Sequence, residues 1–280
     1  MKKFLVLLMT VVMAIACCFG LTACGDGDGE DTNSGVVNVR PNTITVGYTD
    51  YAPMNYTEDG VLKGFDTELA LMVFNALGYE VRFKLIDWGS KYLELNGGTI
   101  DCVWNGFTAN VADDDGIQRA DKVDFSLNYM QNAQCIVRKS STELNAWTDF
   151  ANKSVSYEIG SAADSLIGTE LKNVNVNKKG VTSQMDAIRE VNSGTADYAI
   201  VDILLAQQIA GQGDYAGLVI NQGIEIGVEY YAIGFKKGST LTEKVNVMLC
   251  AFAATGQLQE LANKYNVGTS VITNFSSQLA

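Results

Sequence analysis

Histidine is absent from this 280-residue sequence, and only 2 residues are proline. Histidine is the commonest transition-metal ligand and the usual general base near neutral pH, so its absence excludes zinc hydrolase and Ser-His-Asp chemistry by this chain alone. Basic residues are also few, since 20 Lys and Arg stand against 32 Asp and Glu, for a net charge of -12. The positive footprint of a nucleic-acid binder is missing, and we expect no nucleic-acid partner, no metal and no cofactor.

Cysteine is scarce: beyond the N-terminal segment, the sequence contains only Cys102, Cys135 and Cys250. An odd number leaves at least one thiol free or paired between chains. All three lie in apolar segments, where cysteine behaves as a small buried hydrophobic residue. A disulfide between Cys102 and Cys135 stays open as an alternative, whereas the spacing of a metal site is missing.

Apolar residues are abundant, at 47% of the chain, and aromatic residues are spread along it. This composition is typical of a globular protein with a sizeable core, and the length fits one large domain or two ordinary ones. Fibrous and wholly disordered structures are excluded.

The N-terminus has the charged-then-apolar order of a secretory signal, because Lys2 and Lys3 precede the uncharged stretch 4–23. The stretch ends in LTAC at Cys24, which resembles a bacterial lipobox and implies cleavage before Cys24 and a diacylglycerol on its thiol. The alternative is a retained membrane helix. We expect a lipoprotein signal peptide at 1–23, and both alternatives leave the folded part outside the cytoplasmic membrane.

Residues 24–42 are rich in Gly, Asp, Asn and Ser and contain little that could form a core. Such a segment cannot offset the entropy of ordering, so it is predicted to be a flexible tether.

Strand and helix patterns alternate from residue 43 onward, as in βαβ units that build a parallel sheet covered by helices. The alternation occurs in two series with no loose linker between them, which favours two lobes with a cleft. The predicted strands are 43–48, 80–85, 99–104, 133–138, 154–157, 174–177, 198–201, 218–221 and 230–235, and the predicted helices are 66–77, 89–96, 162–171, 184–193, 203–211, 241–255 and 256–265.

The order of short motifs from 43 to 265 resembles the amino-acid-binding proteins of ABC importers, the polar-amino-acid branch of the type II periplasmic binding fold. Each motif is weak alone, and their order over most of the mature chain is specific. The matching segments are YAPMNY at 51–56, GFD at 64–66, DW at 87–88, DCVWNGFT at 101–108, Arg119 before VDFS at 123–126, IGSA at 159–162 and ADYAIVD at 196–202.

The resemblance implies an α/β fold of two lobes, each a mostly parallel sheet flanked by helices, joined by hinge strands near 131–137 and 229–235. The first lobe would comprise 43–132 and 231–280, and the second 133–230. It implies a monomeric, lipid-anchored receptor on the outer face of the cytoplasmic membrane. The receptor would deliver a free polar amino acid to an ABC permease and its ATPase.

A site for a free amino acid must bind a carboxylate, an ammonium and a side chain. Arg119 is the candidate for the carboxylate, because a guanidinium can bind it with two parallel hydrogen bonds. Its alternative is a surface arginine paired with Asp121 or Asp124. Asp202 is the candidate for the ammonium, since it ends a strand at the sheet edge where ligands of α/β proteins bind. Its alternative is a helix N-cap and nothing more.

The remaining candidates follow from the resemblance. Tyr51 and Trp88 would form aromatic walls, and Asn105, Gly106 and Thr108 would lie beside the carboxylate. Ser161 and Ala162 would present a helix N-terminus, and Glu158 would favour a ligand side chain with an amide or a positive charge.

One departure from the family pattern concerns the acidic insertion, residues 109–118, which separates Thr108 from Arg119. Family members have only a few residues there. We expect the insertion to bulge into solvent, and the alternative is that it changes the mouth of the site.

Two other functions share this fold: an enzyme similar to cyclohexadienyl dehydratases, and a ligand-sensing module that acts through another protein. An enzyme would need a protonated carboxylate or a perturbed lysine in the cleft. We expect charge pairing to lower the carboxyl pKa of Glu158 and Asp202 instead, which favours binding without catalysis.

Overall fold

The structure, a computed structural model, describes residues 42–224 and 226–279. The predicted signal peptide, Cys24 and nearly all of the predicted tether lie outside the described residues. Within them, every helix is too short or too polar to cross a membrane.

Thirteen strands occur in the described residues, and their bounds follow in chain order. They are β1 Asn42–Tyr48, β2 Tyr56–Glu58, β3 Val61–Lys63, β4 Tyr79–Leu85, β5 Cys102–Val103, β6 Asp124–Phe125, β7 Met130–Lys139, β8 Ser154–Glu158, β9 Asn177–Val181, β10 Tyr198–Asp202, β11 Leu218–Ile220, β12 Val228–Tyr231 and β13 Gly234–Phe235.

Eight α-helices and four 3-10 turns connect the strands in the described part of the chain. The helices are α1 Phe65–Ala76, α2 Lys91–Asn96, α3 Arg119–Lys122, α4 Ala162–Glu170, α5 Gln184–Ser193, α6 Ile203–Ile209, α7 Leu241–Ala254 and α8 Gln257–Lys264, and the 3-10 turns are Trp88–Ser90, Trp147–Phe150, Gly213–Tyr215 and Ser276–Gln278.

The first lobe is built on a five-stranded sheet with the order β4-β1-β5-β13-β6. Strand β1 pairs in parallel with β4 and β5, whereas β13 is antiparallel to β5 and β6. Helix α1 contacts β4 and buries Leu69 and Val73, four residues apart on one helical face. The apolar residues whose spacing predicted this helix therefore form the face that packs on the sheet.

The second lobe is built on a sheet with the order β11-β7-β10-β8-β9, and β12 also pairs with β7. Strands β10, β8 and β9 are parallel neighbours, and β7 is antiparallel to β10, β11 and β12. The two-lobe α/β architecture with mostly parallel sheets is confirmed. A single strand in each described sheet runs against all the others, β13 in the first lobe and β7 in the second.

The chain crosses between the sheets twice, from β6 to β7 and from β12 to β13. The two crossings lie side by side, since β12 pairs with the first part of β7, from Met130↔Tyr231 to Ala133↔Val228. The predicted hinge segments 131–137 and 229–235 each overlap this pair in part, and their role as a hinge stays a prediction.

In the described part of the chain, the free thiols are those of Cys102, Cys135 and Cys250. Cys102 and Cys135 are buried, as their apolar surroundings predicted. The alternative of a disulfide between them is wrong.

Candidate functional site

Nine of the ten predicted ligand-binding residues line one small cavity between the lobes. The first lobe contributes residues from the segments after β4 and β5. The second lobe contributes residues from the ends of β8 and β10, from the segment after β8 and from the start of the helix after β9. The lining residues are Trp88, Asn105, Gly106, Thr108 and Arg119 from the first lobe, and Glu158, Ser161, Ala162, Asp202 and the unpredicted Gln184 from the second.

Two carboxylates enter the cavity because two parallel strands end at the same edge. Glu158 is the last residue of β8, and Asp202 is the last residue of β10. The strands pair with Tyr198 opposite Val155, so continuing the register places Asp202 one position beyond Glu158. Both side chains are buried, with 3% and 4% exposure.

The Asp202 carboxylate is held by three side-chain amides. Oδ1 accepts hydrogen bonds from Asn132 Nδ2, at 2.8 Å, and from Gln134 Nε2, while Oδ2 accepts one from Gln184 Nε2 at 2.6 Å. Its side chain makes no capping hydrogen bond to the helix that follows. The alternative in which Asp202 is only an N-cap is therefore wrong.

The Glu158 carboxylate has a different environment. Its Oε1 atom is buried and accepts no hydrogen bond from any described residue. Burial and the nearby charge of Asp202 raise its pKa from 4.5 to about 8, against the opposing effect of Lys91 and Arg119. This carboxyl group therefore has less hydrogen-bond support than that of Asp202.

A third carboxylate, Glu229 on β12, lies next to Asp202. Its Oε2 accepts hydrogen bonds from Gln134 Nε2 at 3.0 Å, from Asn132 Nδ2 at 3.1 Å and from Thr108 Oγ1 at 3.2 Å. Burial and the charge of Asp202 raise its pKa to about 7. Glu229 and Asp202 thus share two amide donors, which keeps like charges close together.

The expectation of lowered carboxyl pKa values is wrong for both Glu158 and Asp202. Burial raises both values, and for Asp202 the hydrogen bonds from Gln184, Gln134 and Asn132 oppose that shift without cancelling it. The prediction counted charge pairing but omitted the cost of removing the carboxylates from water.

Arg119 begins the short helix α3 and is 1% exposed. Its Nε donates to Asp113 Oδ1 at 2.8 Å, its Nη1 to the Thr108 carbonyl at 3.2 Å, and its Nη2 to the Gly160 carbonyl of the second lobe at 3.2 Å. The alternative of a surface arginine paired with Asp121 or Asp124 is wrong. The partner comes from the acidic insertion instead.

The acidic insertion folds into a tight hairpin. Ala112 and Gln118 pair across it, and the Asp113 amide donates to the Ile117 carbonyl at 2.9 Å. Asp114 is exposed as expected, but Asp113 turns inward and is 7% exposed. Part of the insertion therefore bulges into solvent while Asp113 joins the site.

The insertion also forms one side of the mouth of the site. It faces helix α4 across a groove of about 370 Å³ that shares Ala162 with the cavity. On this side of the protein, the insertion thus borders the mouth of the site, as the alternative expectation stated.

The loop at Asn105 and Gly106 is fixed from behind. Gly106 has a φ of 57° and donates its amide to Asp66 Oδ2 at 2.7 Å. A Cβ at Gly106 would lie 2.6 Å from Tyr51 Cε1, so this position requires glycine. The Asn105 Nδ2 donates to the Thr49 carbonyl and to Asn55 Oδ1, at 2.9 and 2.7 Å.

Tyr51 is the one predicted site residue outside the cavity lining. It packs behind Gly106, and its hydroxyl hydrogen-bonds to that of Tyr231 at 2.7 Å. Trp88 does line the cavity, and its ring meets Phe107 edge to face at 5.2 Å. One aromatic wall is therefore in place.

Ser161 and Ala162 bring the start of α4 to the cavity. Ser161 is the N-cap, and its Oγ accepts the Asp164 amide at 3.4 Å. The N-terminal end of this helix, which carries a partial positive charge, faces the cleft.

The sequence and the fold have counterparts among known proteins. A sequence profile of the bacterial extracellular solute-binding proteins, family 3, matches residues 44–268. The chain belongs to this family. The arginine-binding extracellular protein ArtP of Bacillus subtilis is 31% identical over 272 residues, which cover 96% of this chain and 99% of ArtP.

Solved structures of amino-acid-binding proteins have a similar fold. An ancestral arginine-binding protein bound to arginine has a TM-score of 0.73 at 29% identity, covering 80% of this chain and 98% of that one. A substrate-binding protein of an ABC uptake transporter from Streptococcus pneumoniae, with bound histidine, has a TM-score of 0.70 at 28% identity, covering 80% and 92%. These proteins are named for binding and not for catalysis, so the enzyme alternative receives no support from them.

Sequence reasoning missed several residues of this solute-binding protein's cleft. Lys91, the first residue of α2, is 2% exposed and donates from Nζ to the Gly160 carbonyl at 2.8 Å. Burial and the charge of Arg119 lower its pKa to about 7. Two cations of the first lobe thus meet one carbonyl of the second lobe.

Gln184 and Glu229 were missed because neither belongs to a motif that marks ligand binding. Gln184 could have been found, since a polar residue that starts a helix after β9 lies at the same sheet edge as Asp202. Glu229 gives no comparable signal, because its position beside Asp202 depends on the pairing of β12 with β7.

Proposed function

We propose that this solute-binding protein holds a free polar amino acid between its lobes and delivers it to an ABC importer. The observation that carries the proposal is the placement of two opposite charges, Arg119 and Asp202, at one cavity and on opposite lobes. A zwitterion is the small solute that both groups can bind at once.

We assign the ligand carboxylate to Arg119, with Gly106 and Thr108 beside it, and the ammonium to Asp202. Asp202 is suited to the ammonium because three amides already orient its carboxylate. Trp88 supplies an apolar wall for the aliphatic part of the ligand. Ser161 and Ala162 close the cavity from the second lobe.

The side chain of the ligand falls to Glu158 in this proposal. A buried carboxylate with an oxygen that lacks a partner favours a side chain that donates hydrogen bonds or carries a positive charge. Arginine and histidine, the ligands named for two of the matched structures, both have such side chains.

Closure of the cleft follows from the division of the site between lobes. Each lobe alone makes half of the contacts, so the ligand favours the closed state by its higher affinity for that state. The crossings beside β7 and β12 are the hinge in this account. We propose lobe boundaries at 43–132 with 231–280, and at 133–230.

We further propose that the protein is anchored to the outer face of the cytoplasmic membrane by a lipid on Cys24, after removal of the signal peptide 1–23. Residues 24–42 would serve as the tether of a monomer. The membrane permease and its ATPase would be the protein partners. The support for this part is the lipobox-like sequence at Cys24.

The test is calorimetry of the purified mature protein against the standard amino acids and cystine. We expect one polar amino acid, or a few, to bind tightly. Arg119→Ala should weaken that binding by about 2 to 5 kcal/mol, since it leaves the ligand carboxylate buried without a partner. The exposed Arg189→Ala variant is the matched control and should bind normally.

Failure of every amino acid to bind would contradict the proposal. Turnover of prephenate by the same preparation would contradict it in favour of the enzyme alternative. Equal affinity of the Arg119→Ala and Arg189→Ala variants would show that Arg119 does not bind the ligand.

A further inference from the structure

The acidic insertion supplies Arg119 with a partner that lies outside the cavity lining. The Asp113 carboxylate accepts hydrogen bonds from Arg119 Nε at 2.8 Å, Lys122 Nζ at 2.8 Å and Tyr92 Oη at 2.6 Å. Both of its oxygens are engaged. Burial raises the pKa of this carboxyl, but the Arg119 charge and the bonds from Lys122 and Tyr92 outweigh it and lower the pKa to about 2.

The geometry of a guanidinium makes this contact directional. Arginine has five N–H donors in a fixed plane, so a carboxylate at Nε determines where the Nη1 and Nη2 groups point. In this protein Nη1 reaches the carbonyl of Thr108, which lines the cavity, and Nη2 reaches the carbonyl of Gly160, the residue before the lining residue Ser161. The edge that can bind a ligand carboxylate therefore faces the cleft.

Arg119 also has competing partners within the chain. Its charge acts on both Glu158 and Glu229, which are buried at the same cleft. An arginine free to rotate would pair with one of these carboxylates, because a buried opposite charge is a stronger partner than a carbonyl. In such a pair, neither Arg119 nor the carboxylate that it contacts would be available to bind the ligand.

We propose that Asp113 is a positioning residue, which holds the Nε edge of Arg119 so that the guanidinium is directed at the ligand carboxylate and kept apart from the carboxylates of the cleft. This inference rests on the proposed function, in which Arg119 binds the carboxylate. The acidic insertion thereby becomes part of the recognition machinery.

A purely structural role for the Asp113 side chain fits the contacts less well. The hairpin is held by main-chain bonds, since the Asp113 amide donates to the Ile117 carbonyl and the Gly116 amide to the Asp113 carbonyl, both at 2.9 Å. Neither bond uses the carboxylate. Removing the side chain leaves the hairpin its own backbone bonds.

The experiment compares two ligands and three proteins. The ligands are the amino acid with the highest affinity in the panel and its α-carboxamide, L-arginine and L-argininamide being the first pair. The proteins are wild type, Asp113→Ala, and Asp114→Ala as a matched control from the same hairpin whose carboxylate is exposed. Thermal unfolding checks the fold, and the nearly isosteric Asp113→Asn replaces Asp113→Ala if the latter is not folded.

We expect Asp113→Ala to lower the affinity for the amino acid by about tenfold or more, the size of a lost charge-assisted contact. The affinity for the carboxamide should change much less, because that ligand lacks the charge that Arg119 binds. Asp114→Ala should match wild type with both ligands.

An equal loss for both ligands, or no loss for either, would overturn this inference and leave the proposed function in place. A wild-type protein that binds no amino acid would overturn the proposed function, and the inference with it. The experiment therefore distinguishes failure of this inference, seen in the variants, from failure of the proposed function, seen in the wild-type protein.

Discussion

The second lobe brings two carboxyl groups to the cavity, Glu158 and Asp202, and their surroundings differ although both end neighbouring parallel strands. Asp202 accepts hydrogen bonds from three amides, whereas Glu158 Oε1 has no donor among the described residues. Asp202 is oriented by the fold itself. Glu158 depends on a proton or on the ligand for its stabilisation.

The two carboxyl groups suit two different parts of a free amino acid, the ammonium that all of them share and the side chain that distinguishes them. Every free amino acid has an ammonium, so a permanently organised acceptor suits Asp202. Side chains vary, and a carboxylate without its own partner discriminates strongly, because it is stabilised only by a ligand that supplies donors. The contrast therefore predicts that Asp202 binds every ligand and that Glu158 selects among them.

The largest effect is expected at Asp202. Asp202→Asn should weaken the binding of every ligand by about 2 to 5 kcal/mol, because a buried ammonium loses its counter-charge. Calorimetry with the panel of amino acids measures this loss, and Asp214→Asn on an exposed turn is the control. A variant that binds as wild type does would break the assignment of the ammonium to Asp202.

A smaller and selective effect is expected at Glu158. Glu158→Gln should weaken ligands with cationic side chains by about 1.5 to 3 kcal/mol, the usual worth of a hydrogen bond to a charged group. Any binding of L-alanine, which has no side-chain donor, should stay unchanged. Competition calorimetry gives both values, and a loss of equal size for both kinds of ligand would remove the contrast with Asp202.

The smallest effect is expected in how the stability of the ligand-free protein depends on pH. The Glu158 pKa is raised from 4.5 to about 8, so the folded protein keeps a proton that the unfolded chain releases, and stability falls as pH rises between these values. Asp66 and Glu229 contribute in the same direction, since the pKa of each is raised to about 7.

Glu158→Gln should therefore make the fall in melting temperature between about pH 5 and pH 7 shallower. Thermal unfolding at several pH values measures the slope, and Glu243→Gln on an exposed helix face is the control. A variant slope as steep as the wild-type slope would mean that Glu158 is charged throughout this range.

The site could be predicted from the sequence wherever the residues follow a regular strand. Asp202 was predicted from its place after a strand of a βαβ series, whereas Glu158 was predicted from the family resemblance. The structure brings them together because β8 and β10 are parallel neighbours. Helix α5, predicted at 184–193, has the observed bounds Gln184–Ser193 because its apolar period and its serine N-cap agree.

Prediction was less successful where position depends on tertiary pairing. Strand β9 was predicted at 174–177 but runs Asn177–Val181, because this polar sequence at the sheet edge has no apolar alternation. The hairpin of β2 and β3 was missed for the same reason. The inward turn of Asp113 depends on Arg119, Lys122 and Tyr92, which no local pattern brings together.

The most direct measurement is a crystal structure of the protein with the tightest-binding amino acid of the panel. The account predicts the ligand carboxylate within hydrogen-bond distance of the Arg119 guanidinium and the ammonium within that distance of the Asp202 carboxylate. A ligand whose charged groups contact neither residue, or one bound outside this cavity, would contradict it.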